Sequence, residues 1–371
     1  MNKNESKPYY KHLNGLKGMA CMLIMLLHYL NLYQELKPRP HSFPPLDIII
    51  ASRYSFLLRA SFWLYLFFVI SGYLLARSDI RSIKELFVKS VSRFLRLALP
   101  ILFASLIIGV LYSIWGFKTE AIQERINNPW LGSFYKQEFS FLDFLKAPVD
   151  VLIRGNSGVN QPYWVLRDMM FASVFIYVLS YIKNKTETVP VLFPVVTLIA
   201  LFASQHCSET IAVCLFGAVI SWNEERIRHA PPVVSITAGT LLMLPAAAGY
   251  TLMFKVLFFS ALVLYMPLLP RVNAVFSSKP MQYLGDISFG IYSCHWPVFC
   301  SIGLSVFLRF PVTAPLILPA AACCLFSVLI TLVLAYLFHI SFERLSGTVI
   351  KALTGRMLRP LFRKGDFSHD R

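Results

Sequence analysis

The sequence predicts an all-α integral membrane protein, a bundle of about ten transmembrane helices with both termini in the cytoplasm. Its composition excludes a soluble domain, because 56% of the 371 residues are hydrophobic, only 15% are charged, and the mean hydropathy is +0.60. The apolar residues fall in long unbroken runs without the period-two alternation of a membrane β-barrel. A helix needs about 20 mostly apolar residues to cross the hydrocarbon core.

Ten apolar stretches are predicted to be spans, and the sixth of them, with 13 residues, is the shortest. They cover residues 13–33, 60–76, 97–116, 163–182, 189–204, 210–222, 233–249, 251–268, 287–308 and 314–340. We predict one membrane domain over residues 1–371, of which 350–371 form a basic cytoplasmic tail. The proline-rich segment 34–59 predicts an irregular outer loop. The longer segment 117–162 mixes aromatic and charged residues, and either covers a pocket or packs at the membrane surface.

The net charge of +16 reflects membrane orientation rather than a nucleic-acid partner. With a cytoplasmic N-terminus and ten crossings, the predicted inside segments hold 23 lysines and arginines, and the predicted outside segments hold 10. Basic residues collect in the cytoplasmic segments of membrane proteins, so this asymmetry predicts that both termini lie inside. The expected partner is the lipid bilayer, and no nucleic acid is expected.

Titratable side chains inside the predicted spans are candidates for function, because ionisable groups in hydrocarbon usually face a bundle interior or a wet cavity. His28 follows Lys17 by eleven residues, about 16 Å along a helix, which puts it in the middle or outer half of the bilayer. His295 lies near mid-depth in the ninth span, and Arg167 and Asp168 lie near the outer end of the fourth. Each of these residues also has a structural interpretation, as a hydrogen bond or an ion pair that joins two helices.

Two further patterns have both a functional and a structural interpretation. Ser71 and Gly72 interrupt an aromatic span, where Ser71 can donate a hydrogen bond and where small residues also let helices pack closely. The predicted inner loop 77–96 carries six basic side chains and ends with Arg93 and Arg96. This loop either orients the protein and contacts anionic lipid, or binds a phosphorylated donor that enters from the cytoplasm.

Four sequence patches together resemble a known family. In chain order they are LNGLKGMA at 13–20 with His28, FFVISGYLL at 67–75, RFLRLALP at 93–100, and LGDISFGIYSCHWP at 284–297. They are similar to the first-helix signature, the second-helix motif, the basic third-helix patch and the late His-Trp-Pro helix of the membrane acyltransferase-3 family of O-acyltransferases. The resemblance covers most of the chain.

Three positions depart from the family pattern. Asn14 and Lys17 stand where the family usually has Asp and Arg, and a lysine keeps the charge but loses the bidentate geometry of a guanidinium. The segment 163–168 resembles a degraded form of a Trp-plus-Glu segment, in which Asp168 replaces the glutamate. These departures concern the specificity for donor and acceptor.

The resemblance implies an enzyme, an O-acyltransferase for groups other than amino-acyl groups. It implies transfer of an acyl group, typically acetyl, from a cytoplasmic acyl-CoA to a hydroxyl of a cell-surface polysaccharide or other extracytoplasmic glycan. Acetyl-CoA is then a donor substrate, no permanently bound cofactor or metal is expected, and the location is a bacterial inner membrane.

The same resemblance implies roles for seven residues. His28 deprotonates the acceptor hydroxyl or carries the acyl group, His295 orients the site or serves a second step, and Asp168 orients a histidine. The expected donor-binding residues are Lys17, Arg93, Arg96 and Ser71.

Two other functions fit the same residues. The first is acylation of a small molecule or a lipid-linked precursor instead of a finished polymer. The second is a transporter without transferase activity, because membrane His, Arg and Asp also mark proton pathways. No pair of matching Gly/Pro-broken spans suggests the inverted repeats of such transporters. Proton-dependent solute uptake without consumption of a thioester would distinguish the transporter.

Overall fold

The computed structural model describes residues 10–34, 55–185, 209–225 and 252–362. Within these ranges the protein is helical and contains no β-strand. In chain order the α-helices are α1 (Lys11–Gln34), α2 (Ala60–Leu75), α3 (Ile83–Trp115), α4 (Thr119–Ile126), α5 (Pro129–Gly132), α6 (Phe141–Val149), α7 (Trp164–Lys185), α8 (Glu209–Trp222), α9 (Leu252–Tyr265), α10 (Pro270–Phe276), α11 (Lys279–Asp286), α12 (Ser288–Val298), α13 (Leu304–Leu308), α14 (Ile317–Phe338) and α15 (Arg344–Phe362). π-Helical segments at Asp150–Arg154, Phe299–Gly303 and His339–Glu343 continue α6, α12 and α14.

Eight apolar helical stretches match the eight predicted spans that fall within the described ranges. Five are long and apolar enough to cross a membrane: Lys11–Leu30, Ile83–Trp115, Gln161–Lys185, Ser288–Leu308 and Ile317–Gly355. A sixth is a pair, Phe258–Leu268 and Pro270–Phe276, bent by 104°, and α2 and α8 are shorter apolar helices. The predicted spans 189–204 and 233–249 lie outside the described residues, so the count of ten and the sidedness stay predictions.

Two helices extend further than the hydropathy pattern predicts. The third span was expected to begin at residue 97, but α3 begins at Ile83, where the hydroxyl of Ser82 accepts the Glu85 N–H at 3.1 Å. The predicted inner loop 77–96 is therefore mostly helix, because backbone hydrogen bonds continue past the point where the side chains become polar. α14 likewise continues through its π-helical segment into α15, so the predicted tail is helical as far as Phe362.

Helices α1 and α12 lie side by side and run in the same direction. In the middle of α1, the Cys21 thiol donates to the carbonyl oxygen of Ser288, the first residue of α12, at 3.1 Å. Further along the helix, the Tyr29 hydroxyl donates to the His295 carbonyl oxygen at 3.0 Å. Residue numbers increase along both helices from the first contact to the second, so the helices are parallel. Two side chains that lie the same number of residues beyond the first contact are therefore at the same depth.

Helices α2 and α8 are also parallel and very close. The Tyr65 hydroxyl donates to Glu209 at one end, and Arg77 pairs with Glu224 at the other. Between these contacts, a Cβ atom added to Gly72 would overlap the Cys214 carbonyl. The absence of a side chain at Gly72 thus allows the two backbones to touch.

The connection between α3 and α7, residues 117–163, forms a structured cap. The sequence predicted that this segment covers a pocket or packs at the membrane surface, and the cap contains α4, α5, α6 and the π-helical segment Asp150–Arg154. Residues 155–158 form a turn: Gly155 has a φ of 75°, and the Gly158 N–H donates to Asn156 Oδ1 at 2.9 Å. The cap packs on the C-terminal part of α3 and against α12.

Candidate active site

A pair of histidines lies between α1 and α12. His28 Nδ1 is 2.9 Å from His295 Nε2, the two ring planes differ by 13°, and the ring centroids are 5.2 Å apart. A short nitrogen–nitrogen distance with a long centroid separation means that the rings lie edge to edge, so the contact is an in-plane hydrogen bond and not a face-to-face stack. His295 is 1% exposed, whereas His28 is partly exposed.

The partners of the two rings determine their tautomers. His295 Nδ1 lies 3.0 Å from the Ile291 carbonyl oxygen and 2.9 Å from that of Tyr292. A carbonyl oxygen only accepts, so Nδ1 of His295 carries the hydrogen and Nε2 of the neutral ring accepts. His28 must then donate from Nδ1, which leaves a lone pair on His28 Nε2. His28 is therefore placed as a base, and His295 as the residue that orients it.

A close contact of small residues brings the two histidines to the same depth. A Cβ atom at Gly18 would lie 2.5 Å from the backbone nitrogen of Gly285, which lies at the end of α11 just before α12, so the backbones are in close contact there. His28 lies ten residues beyond Gly18, and His295 lies ten residues beyond Gly285. Ten residues are about 15 Å of helix, so two parallel chains that touch at the glycines present both rings at one level.

Aromatic side chains from the cap pack on Trp296 of α12, which in turn contacts the histidine pair. Trp296 packs edge-on against His28 with ring centroids 5.6 Å apart. Trp130 and Phe134 of the cap pack on Trp296 at 5.5 and 5.0 Å. Trp296 is 2% exposed, and its indole Nε1 is a buried donor without a hydrogen-bond partner among the described residues. The three rings, which we call the aromatic roof, thus place apolar faces and one free donor beside His28.

The cap is held in place by hydrogen bonds to two backbone carbonyl groups, one on α12 and one on the π-helical segment that continues it. Pro297 has no N–H, so the carbonyl of Ser293 lacks its usual helical partner. Asn160 Nδ2 donates to that oxygen at 2.8 Å, in a fully buried position. A turn later, within the π-helical segment, the Cys300 carbonyl accepts the backbone N–H of Lys118 at 2.8 Å. The proline of the His-Trp-Pro motif therefore provides an attachment point for the cap.

The sequence model of one family, described as an acyltransferase domain, matches residues 10–339. The chain belongs to the acyltransferase-3 family. No protein of curated function and no solved structure matches the chain. Together with its apolar helices, this membership makes the protein a multi-pass membrane acyltransferase and confirms the resemblance identified in the sequence.

The two arginines of this acyltransferase that were expected to bind the donor lie one turn apart on α3. Arg93 Nε donates to Ser173 Oγ of α7 at 3.0 Å. Tyr177 of α7 lies close to both guanidinium groups, and Arg96 is exposed. Arg93 also lies near Cys214 of α8, so the neighbours of the two arginines are on α7 and α8, whereas the histidine pair lies between α1 and α12.

Lys17 of the acyltransferase lies among acidic groups. Asp286 and Glu343 are both close enough to attract its ammonium group. Glu343 is also bonded to His339, whose Nδ1 lies 2.6 Å from Glu343 Oε2 within the π-helical segment. Asp286 in turn accepts the amide of Asn14. Asn14 and Lys17, two of the three positions that depart from the family pattern, thus belong to one polar cluster, which joins α1 to the ends of α11 and α14.

Asp168 and Ser71 lie away from the histidine rings. Asp168 is 8% exposed, and its Oδ1 is 3.4 Å from Nε of its sequence neighbour Arg167, an ion pair within α7 rather than one that joins two helices. The hydrogen bonds of His28 and His295 do not involve Asp168. Ser71 is half-buried on α2, beside the glycine that packs on α8.

Several site residues were not identified from the sequence. Trp130 and Phe134 were noted only as members of an aromatic segment, and Asn160 was not singled out. A signal for Asn160 existed, because a proline inside an apolar helix always leaves one carbonyl that another group must satisfy. Among the described residues, no group of three or more His, Cys, Asp or Glu side chains is placed to hold a metal ion.

Proposed function

We propose that this membrane acyltransferase moves an acyl group, in the simplest case acetyl, from a cytoplasmic acyl-CoA to a hydroxyl of an extracytoplasmic glycan in a bacterial inner membrane. The observation that carries the proposal is the hydrogen bond from His28 Nδ1 to His295 Nε2. It leaves His28 Nε2 with a lone pair beside the aromatic roof, which is the arrangement that a general base or nucleophile requires.

In the direct mechanism, His28 Nε2 removes the proton of the acceptor hydroxyl while its oxygen attacks the thioester carbonyl. The carbon–sulfur bond breaks, and the departing CoA thiolate takes the proton from His28. His295 holds the ring of His28 and stabilises the imidazolium through the same hydrogen bond. The products are the ester and free CoA, and the enzyme returns to its starting protonation state.

In the covalent alternative, His28 Nε2 itself attacks the thioester and CoA leaves as the thiolate. The acyl-imidazolium gives its Nδ1 proton to His295 Nε2, and the acceptor hydroxyl then displaces the acyl group in a second step. The proton balance is preserved because the hydroxyl proton returns to the pair and the other proton goes to the thiolate. Both routes place His28 at the reacting carbon and His295 behind it.

Arg93 and Arg96 are the proposed contacts for the phosphates of the donor. Guanidinium groups match phosphate oxygens in geometry and charge, and Arg96 is exposed. Lys17 is a weaker candidate, because Asp286 and Glu343 already offset its charge. Ser71 on α2 and Asp168 on α7 have no direct role in the proposed reaction. The helices that carry them support the site.

The aromatic roof supports a sugar acceptor. Sugar rings present apolar C–H faces that pack on aromatic rings, together with hydroxyls that need hydrogen-bond partners. Trp130 and Phe134 supply ring surface from the cap, and Trp296 adds a buried donor without a partner. Such a site, mostly apolar with few polar groups, is typical for small polar ligands.

The test is acetyl-CoA turnover by the purified protein in vesicles, with and without surface glycan extracted from the host. We expect turnover that requires glycan and that is lost in both His28→Ala and Arg96→Ala. His12→Ala on α1 and the exposed Arg81→Ala serve as matched controls and should keep activity. Glycan-independent turnover with a small-molecule or lipid-linked hydroxyl would replace the glycan with that acceptor. Wild-type activity in His28→Ala would remove the base from the mechanism.

A further inference from the structure

Helix α6 and the π-helical segment after it, residues 141–154, present three different faces. One face is buried against the protein and contains Phe144, Ala147, Pro148, Val151 and Leu152. A second face carries the charged residues Asp143, Lys146, Asp150 and Arg154. Between them lies a third face that is apolar and exposed. On a helix whose outer surface contacts only water, the residues outside the buried face are normally polar, so the exposed apolar face indicates a different environment.

The exposed apolar face is continuous and regular. Phe141, Leu145, Val149 and Ile153 follow one another at intervals of four residues, and they are 70%, 41%, 44% and 59% exposed. Residues spaced by four lie one above another on a helix, so these side chains form a single stripe. Leu142, 50% exposed, widens it. Five large apolar side chains on one surface helix form a patch that normally marks an interaction site.

The charged face is held in its ionised form by local hydrogen bonds. The Ser140 hydroxyl and backbone N–H donate to Asp143 Oδ2 at 2.7 and 2.8 Å, and they hold the pKa of that carboxyl below its usual range. Arg154 pairs with Asp150 at 2.7 Å, one turn apart on the same face. The charged face is therefore stable in contact with water, whereas the exposed apolar face directly beside it is stable in an apolar environment.

The apolar stripe continues onto a membrane-crossing helix. Val110 and Ile114, near the C-terminal end of α3, are 58% and 62% exposed, as expected for side chains that face lipid. Between α3 and α6 lies a groove of about 250 Å³, whose lining includes Gly109, Val110, Ser113, Ile114, Phe141 and Phe144. The groove is narrow at its base, because a Cβ atom at Gly109 would lie 3.0 Å from the Phe144 ring. It opens to the same surroundings as the outer face of α3.

We propose that residues 141–154 form an interfacial membrane helix, whose stripe of Phe141, Leu145, Val149 and Ile153 inserts into the leaflet at which α3 ends, with a phospholipid acyl chain in the groove between α3 and α6. The occupant is bilayer lipid because the stripe continues the lipid-facing surface of α3. A helix with one apolar face, one charged face and a length of several turns lies in the plane of the interface. The cap is thus fixed to α12 at one edge and embedded in lipid at the other.

Spin-label accessibility tests the position of the stripe. Leu145→Cys and its neighbour Lys146→Cys, both exposed and on different faces, are labelled in the full-length protein in phosphatidylethanolamine–phosphatidylglycerol vesicles. Protein without an introduced cysteine gives the background from the native thiols. We expect the ratio of oxygen to nickel-chelate accessibility to be at least about threefold higher at position 145 than at 146, since oxygen concentrates in the hydrocarbon and the chelate in water.

Two results would overturn the proposal. Equal ratios with high chelate accessibility at both positions would put the stripe in water. Low accessibility to both reagents at position 145 alone would mean that a protein surface, such as a second copy of this chain, covers the stripe. The groove is tested separately by the phospholipid that copurifies with Ser113→Trp, which fills it, and with Val333→Trp on the exposed face of α14. The proposal requires that the first variant lose a bound phospholipid that the second retains.

Discussion

The hydrogen bond from His28 Nδ1 to His295 Nε2 makes the two histidines unequal. Because His295 donates its only hydrogen to backbone carbonyls of α12, it can do no more than accept from His28. His28 keeps a free Nε2, and it is also the more exposed ring. One histidine therefore has the position of a reacting group, and the other has the position of its support.

This inequality predicts different losses of activity from the two alanine variants. His28→Ala removes the base and should lower the rate by about 10²–10⁴-fold. His295→Ala removes one orienting hydrogen bond of about 1 kcal/mol and should lower it by about fivefold. The measurement is acetyl transfer at saturating substrates, with both variants at equal abundance in the membrane. Equal losses, or a larger loss in His295→Ala, would contradict the assignment of the base.

Much of this arrangement was accessible from the sequence. The long apolar runs predicted the eight apolar helical stretches within the described ranges, and the motif patches singled out both histidines. The hydrogen bond between them was not predictable, because it depends on the contact of Gly18 with Gly285, 267 positions apart in the chain. The extension of α3 below residue 97 was missed because hydropathy reports burial in lipid, while a helix is held by its own backbone bonds.

The contact of Gly18 with Gly285 predicts that a single methyl group is harmful there. Gly18→Ala would place Cβ 2.5 Å from the Gly285 nitrogen and force α1 away from the end of α11, just before α12. Overpacking of this kind costs about 1–3 kcal/mol, so the melting temperature should fall by several degrees, together with activity. The check is thermal unfolding of the purified protein in detergent. Gly347→Ala is the matched control, since a Cβ atom at that helical glycine meets nothing within 4 Å and should be neutral or stabilising. A Gly18→Ala protein as stable as the control would show that the helices are not in contact there.

The attachment of the cap predicts coupling between Asn160 and Pro297. Asn160→Ala leaves the buried Ser293 carbonyl without a partner, at a cost of about 1–3 kcal/mol. Replacing Pro297 by Ala restores a backbone N–H that can bond to the same carbonyl, so the double variant should recover about 1 kcal/mol relative to the sum of the single effects. Unfolding of the four proteins in a double-mutant cycle measures this term. Additive effects within error would mean that Asn160 does not satisfy the carbonyl freed by the proline.

The acidic surroundings of Lys17 distinguish a structural role from a donor-binding role. Lys17→Met removes the positive charge that faces Asp286 and Glu343, which leaves uncompensated carboxyl groups and should lower stability. If charge compensation is the whole role, the double variant Lys17→Met with Asp286→Asn should regain stability and keep the wild-type KM for acetyl-CoA. If Lys17 binds the donor, the same double variant should regain stability but show a KM raised by about tenfold, from the loss of one charge-assisted contact. We expect the first outcome, because the ammonium group already has two acidic neighbours while the guanidinium of Arg96 is exposed. Steady-state kinetics in acetyl-CoA, with unfolding measured on the same samples, separates the two roles.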